Sequence, residues 1–163
     1  MPPKPVVGIL VGSASDLELM NAAAETLETL GIPSETVVAS AHRTPDTVRA
    51  YAREAAARGL QLIICGAGLA AHLAGTVAAH TDLPVIGVPL PGGVADGLDA
   101  LLSTAQMPRG IPVATVTVGK AGAVNAALLA ARVLALHDDA LRARLQNYQA
   151  ANAGGKTDEP EAV

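Results

Sequence analysis

The chain has 163 residues, the size of one domain, and half of them are apolar, which is enough to build a hydrophobic core. A net charge of −4 argues against a nucleic-acid or anionic-membrane surface, and two tyrosines are the only aromatic residues on which bases could stack. One cysteine rules out an internal disulfide, and no stretch has the pattern of a signal peptide or membrane span, so we expect a cytoplasmic protein.

Five apolar runs alternate with helical patterns along the chain. The predicted strands cover residues 6–11, 34–39, 60–65, 84–88 and 113–118. The first predicted helix ends at residue 30, and the next three cover residues 45–58, 72–80 and 97–106. Such alternation is typical of an α/β domain with helices on both faces of a parallel sheet and right-handed crossovers. We therefore expect a three-layer αβα sandwich with a five-stranded parallel sheet.

Two helix starts carry capping signals. Ser15 and Glu18 have the spacing of a capping box for the first helix. Thr44 precedes Pro45, and proline suits a first helical position because the N–H that it lacks is unpaired there anyway. We expect Thr44 to cap the second helix, so that the polar residues before it lie in a loop between two rigid elements.

Two late helices differ from the others. The predicted helix over 121–136 is apolar nearly all round, which requires cover on more than one side, and we expect a subunit interface to supply part of it. The helix over 138–152 carries one stripe of large side chains and is predicted to pack on a neighbouring subunit. The domain is thus expected to span residues 1–152, with 153–163 as a disordered tail.

Three polar loops follow the first three strands, and in a parallel sheet all three open at one edge. The first loop runs from Gly12 to Asp16 and offers backbone N–H groups at a helix N-terminus, where a phosphate binds readily. Ser13 and Ser15 add hydroxyl donors. Asp16 is a poor phosphate ligand because like charges repel, but its carboxylate suits the hydroxyls of a ribose. Capping alone is an equally good explanation of this loop taken by itself.

The second loop contains Ser40, His42 and Arg43. Arg43 supplies a permanent positive charge for a phosphate. His42 is the only nearby side chain suited to giving and taking a proton at neutral pH. The sequence therefore predicts a small-molecule enzyme with His42 as its acid and base.

The third loop contains Gly66, Ala67 and Gly68, which allow a ligand to approach the backbone closely. Their N–H groups suit a carboxylate or a carbon dioxide beside His42. His72 begins the next helix, where contact with the ligand and a purely structural role both stay open. No His, Cys, Asp or Glu cluster has the spacing of a metal site, so we expect no metal. Cys65 falls in an apolar run and is predicted to be a core residue.

The loops together resemble one family closely. The matching segments are GSASD after the first strand, SAHRTP after the second, GAGLAAHLAG after the third, then QMPRGIPVATV and GKAGAVNAALLAA. In this order they are similar to the N5-carboxyaminoimidazole ribonucleotide mutases of purine biosynthesis, over residues 6–136.

The resemblance implies a flavodoxin-like fold, a homo-octamer and a cofactor-free isomerisation of a ribonucleotide. In that reaction N5-carboxyaminoimidazole ribonucleotide loses its carboxyl group as carbon dioxide, which carbon 4 of the ring then takes up. His42 would move the protons. The resemblance places the ribose phosphate on Ser13, Asp16 and Arg43, assisted by Ser15 and Ser40. It places the carboxylate pocket at Gly66, Ala67, Gly68 and Ala71.

Three departures from the family pattern concern the pocket wall. Leu69 stands where the family usually has glycine, and we expect its side chain to point away from the ligand. Ala74 stands where the family usually has proline. Residues 91–96 replace a more polar segment. The main alternative is a carboxylase that uses free carbon dioxide and aminoimidazole ribonucleotide. An electron carrier or a phosphorylated receiver domain is a second class, which the lack of loop aromatics and of clustered acids disfavours.

Overall fold

The computed structural model describes residues 3–153. The strands are β1 (Val7–Val11), β2 (Ser34–Val38), β3 (Leu62–Ala67), β4 (Val85–Pro89) and β5 (Ala114–Thr115). The helices are α1 (Leu17–Thr29), α2 (Pro45–Arg58), α3 (Leu73–Ala78), α4 (Leu98–Ala105), α5 (Lys120–Leu134) and α6 (Asp139–Ala153). The predicted tail covers residues 153–163. Ala153 is the last residue of α6, and residues 154–163 lie outside the described residues. Within residues 3–153, no helix is both long enough and apolar enough to span a membrane.

The five strands form one parallel sheet in the order β2-β1-β3-β4-β5. This is the doubly wound order of flavodoxin-like proteins, as expected. The chain first moves outward from β1 to β2 and then returns to β3 on the other side of β1. The carboxyl ends of β1 and β3 therefore flank the point at which the winding reverses, where open α/β sheets bind their ligands.

Alternating side chains of the central strands bury two apolar layers. On one face Ile9 and Ile64 pack with α1 and with the alanine-rich side of α5. On the other face Leu10, Ile63 and Cys65 pack with α2 and α3. The Cys65 side chain is buried, as expected, and burial raises the pKa of its thiol.

Helix α6 packs against its own chain. Leu141 and Leu145 are buried in the layer that contains α1 and α5, and Tyr148 packs beside them. The Nε of Arg144 donates a hydrogen bond to the carbonyl of Leu30 at 2.8 Å. The apolar stripe of α6 is thus covered within the protomer. Contact between α6 and a neighbouring subunit stays a prediction, and the other faces of the helix remain available for that contact.

Candidate active site

The loops after β1, β2 and β3 line one cleft of about 490 Å³ at the carboxyl edge of the sheet. Nine of the eleven predicted site residues are among those that line it. They are Ser13, Ser15, Asp16, Ser40, His42, Arg43, Ala67, Gly68 and His72. The convergence predicted from the strand pattern is therefore present, and it lies at the reversal of winding between β1 and β3.

Two predicted residues do not line the cleft. Gly66 is the fifth residue of β3 and is buried, because β3 runs two residues further than its apolar run suggests. The Sδ of Met20 lies 2.6 Å from the position that a Cβ on Gly66 would occupy, so this glycine makes room for α1. Ala71 is 2% exposed and lies beneath the loop surface.

The first loop is organised by Ser13. Its hydroxyl accepts hydrogen bonds from the backbone N–H of Ser15 at 3.4 Å and from the Ser15 hydroxyl at 3.0 Å. The predicted capping box of Ser15 and Glu18 is wrong, since Ser13 caps a short 3-10 turn over 14–16 and α1 begins only at Leu17. The 3-10 turn lies between Ser13 and the first residue of α1, so the loop does not lead directly into the α-helix.

Asp16 closes this turn at the edge of the cleft. Partial burial raises the pKa of its carboxyl group, while the backbone of Ser13, the side chain of Ser15 and the charge of Arg43 act in the opposite direction. A carboxylate that has lost part of its hydration in this way gains from ligand groups that donate hydrogen bonds to it. The hydroxyls of a ribose are such groups.

The second loop is fixed from both ends. The Ser40 N–H donates to the Oγ1 of Thr44 at 2.9 Å, and the Thr44 hydroxyl donates back to the Ser40 carbonyl at 3.2 Å. Thr44 therefore closes the loop and does not cap α2 with its side chain, contrary to the prediction. The Ser40 hydroxyl in turn accepts the Arg43 N–H at 3.2 Å. This network holds His42 and Arg43 between rigid elements.

Arg43 joins the second loop to the first. One of its terminal nitrogens donates a hydrogen bond to the Gly12 carbonyl at 2.8 Å. Among the described residues no carboxylate forms a salt bridge with it. A guanidinium has five N–H donors, so most of them remain available to an anionic ligand in the cleft.

His42 and His72 meet at the centre of the cleft wall. The Nε2 of His42 and the Nδ1 of His72 lie 2.7 Å apart, and the rings stand edge to face with centroids 4.8 Å apart. At this distance one nitrogen donates and the other accepts, so a single hydrogen lies between the two rings. The pair places an exchangeable proton at the mouth shared by the second and third loops. His72 is thus joined to the candidate acid and base, and whether it also contacts the ligand stays a prediction.

Six further residues complete the cleft, and two of them, Leu69 and Pro91, belong to the pocket wall that the resemblance indicated. The six are Gly12, Ala41, Leu69, Ala70, Leu73 and Pro91. Pro91 follows β4, so a fourth loop also reaches the site. Leu69 has a positive φ of 55°, which accounts for glycine being usual at this position in the resembling family. Its Cδ2 packs beside Gly93 of the fourth loop, along the rim of the cleft.

A second cleft of about 730 Å³ lies at the opposite edge of the sheet, beside the amino end of β4. It is lined mainly by residues 78–85 and 110–112, together with Arg53. None of the predicted site residues lies there.

Comparison with known proteins agrees with this geometry. A sequence model of the AIR carboxylase family matches residues 6–154. The chain is 54% identical to the N5-carboxyaminoimidazole ribonucleotide mutase of Brucella melitensis, over 94% of this chain and 95% of that protein. It is also 54% identical to the mutase of the same name from Bacillus subtilis, over 87% of this chain and 88% of that protein.

Solved structures give the same result. The crystal structure of Treponema denticola PurE superposes with a TM-score of 0.83 at 35% sequence identity, over 91% of this chain and 92% of that chain. Family model, relatives and fold agree over nearly the whole sequence, and the chain belongs to the AIR carboxylase family.

Proposed function

We propose that this chain is an isomerase of purine biosynthesis that converts N5-carboxyaminoimidazole ribonucleotide into 4-carboxy-5-aminoimidazole ribonucleotide. The observation that carries the proposal is the hydrogen-bonded pair of His42 and His72, which lies in the same cleft as Arg43 and Asp16. The mutase names of the relatives from B. melitensis and B. subtilis support the same reaction.

The reaction needs one proton to be given and one to be taken back. When the carbamate C–N bond breaks, its electron pair stays on nitrogen, which takes a proton from His42, and carbon dioxide is released. Carbon 4 of the ring then attacks carbon dioxide, and the new C–C bond leaves a proton on carbon 4 that returns to His42. Protons balance over the cycle, so one imidazole serves both steps. His72 holds the His42 ring in place through the hydrogen bond between its Nδ1 and the Nε2 of His42.

The neighbouring loops suit the rest of the substrate. We assign the phosphate to Arg43 with Ser13, Ser15 and Ser40, and the ribose hydroxyls to Asp16. The carboxylate or carbon dioxide is assigned to the backbone of Ala67 and Gly68. Neither tyrosine of the chain lines the cleft, which leaves a flavin ring without an aromatic partner there.

Two further assignments concern the setting in which the chain acts. We propose a homo-octamer, in which the partly exposed side of α5, with Val124, Leu128 and Val133, is covered by another subunit. We also propose that the protein acts in the cytoplasm, where its buried thiol Cys65 needs no partner. Light scattering of the purified protein tests the first assignment directly.

Supplying each substrate separately distinguishes the mutase from the carboxylase. The mutase consumes N5-carboxyaminoimidazole ribonucleotide without added bicarbonate. The carboxylase consumes aminoimidazole ribonucleotide and depends on dissolved carbon dioxide.

The matched control for this experiment is His42→Asn. We expect it to keep substrate affinity and to lose about 10²–10⁴ in rate, the usual contribution of a positioned acid and base. A His42→Asn variant with wild-type turnover contradicts the role given to His42. Turnover of aminoimidazole ribonucleotide alone contradicts the mutase assignment.

A further inference from the structure

Leu69 combines features that packing does not explain. It directly follows Gly68 in the third loop, its φ is 55°, and its side chain is 58% exposed. A leucine in the left-handed region is disfavoured by its Cβ, and an exposed leucine gains little from burial in return. A large apolar side chain is therefore held at the mouth of the cleft without benefit to the core.

The contact made by Leu69 lies across the rim. Its Cδ2 is 2.8 Å from the position that a Cβ on Gly93 would occupy, and Gly93 has a φ of 66°. Gly93 belongs to the loop after β4, and Pro91 of that loop lines the cleft. A side chain at position 93 would meet both the Asp99 carboxylate and Leu69, so this glycine lets the two loops approach each other. Leu69 thus bridges the third and fourth loops with an apolar contact beside the backbone of Ala67 and Gly68.

We propose that Leu69 retains carbon dioxide in the cleft between its release from nitrogen and its capture by carbon 4. This inference rests on the proposed function. In that interval carbon dioxide is uncharged and bonded to neither atom, so no ion pair holds it. It either reacts with carbon 4 or escapes through the mouth. An apolar side chain that closes the rim slows escape without taking part in the proton transfers.

Isotope retention measures this directly. The substrate carries ¹³C in its carbamate carboxyl group, and the buffer contains excess unlabelled bicarbonate with carbonic anhydrase. Mass spectrometry then gives the labelled product, the unlabelled product and the aminoimidazole ribonucleotide released, after subtraction of an enzyme-free blank. The proteins compared are wild type, Leu69→Ala, Leu69→Gly, Leu69→Met and the control Leu136→Ala, which truncates another exposed leucine outside the cleft.

We expect Leu69→Ala and Leu69→Gly to lose label several-fold more often than wild type for each substrate molecule consumed. Leu69→Met, which keeps an apolar side chain of similar size, and Leu136→Ala retain label as the wild type does. Equal retention by Leu69→Ala and wild type refutes the inference alone. Label loss confined to Leu69→Gly also refutes it, because backbone freedom would then be the cause. A wild-type protein that consumes no carbamate refutes the proposed function and this inference together.

Discussion

Arg43→Ala should weaken binding of the phosphate group specifically. The guanidinium spends one N–H on the Gly12 carbonyl, and among the described residues it has no carboxylate partner, so its charge is available to the ligand. A hydrogen bond to a charged group contributes about 1.5–3 kcal/mol, and each 1.4 kcal/mol is tenfold in affinity. The dissociation constant of aminoimidazole ribonucleotide should therefore rise roughly 10- to 100-fold.

Calorimetric titration with two ligands separates this effect from damage to the loop. Aminoimidazole ribonucleotide and the corresponding nucleoside, which lacks the phosphate, are each titrated into wild type and Arg43→Ala. Loss of the Gly12 hydrogen bond weakens both ligands alike, whereas loss of the phosphate contact weakens only the ribonucleotide. Arg43→Lys keeps a positive charge without the planar guanidinium, so its affinity for the ribonucleotide should lie between those of wild type and Arg43→Ala.

Arg49→Ala is the matched control, because Arg49 lies on α2, is exposed and pairs with Asp46 at 3.3 Å. It should leave both affinities unchanged. Equal losses for nucleoside and ribonucleotide in Arg43→Ala, or an equal loss in the Arg49 control, would remove Arg43 from the phosphate site.

Three further predictions test the site and its support. Asp16→Asn should raise the melting temperature at pH 7 and weaken ribose binding. The pKa of Asp16 is raised in the folded protein, so its ionisation opposes folding above the ordinary value of 3.8. In melting curves recorded at several pH values, the gain of Asp16→Asn over wild type should therefore vanish as the pH falls toward 3.8. Glu35→Gln should lower the free energy of unfolding, measured in urea, by about 1–2 kcal/mol and leave turnover unchanged, since Glu35 accepts hydrogen bonds from Tyr51 and Arg58 outside the cleft. A Glu35→Gln variant as stable as wild type would show that these hydrogen bonds do not contribute to stability. His72→Phe should lower kcat more than substrate affinity, and an effect on affinity alone would make His72 a binding residue only.

Helix α2 shows what the sequence specifies well. Its predicted bounds, 45–58, are those observed, because Pro45 fixes the start and Gly59, with a φ of 100°, fixes the end. The bounds of β3 were predicted two residues early, since the apolar run ends before the hydrogen-bonded ladder does. Both predicted side-chain caps failed for one reason: short hydroxyl side chains bond whichever backbone group the loop presents, and that depends on the folded loop.

The candidate site divides in the same way. The convergence of the three loops follows from the parallel arrangement of the strands, and the alternation of strands and helices along the sequence predicts that arrangement. The contact between His42 and His72 joins residues 30 positions apart on different loops, and no local pattern encodes it. Pro91 was placed at the pocket wall only through the family resemblance, because the packing of β4 beside β3, which brings the fourth loop to the cleft, is not encoded by a local pattern.

Gly66 and Met20 have a consequence for how this sequence can diverge. The thioether of Met20 occupies the space that any side chain at position 66 would need, so strand and helix meet through a single shared volume. A larger residue at 66 therefore requires the Met20 side chain to shift or position 20 to become smaller. Across homologues the two positions should covary, although neither contacts the ligand cleft.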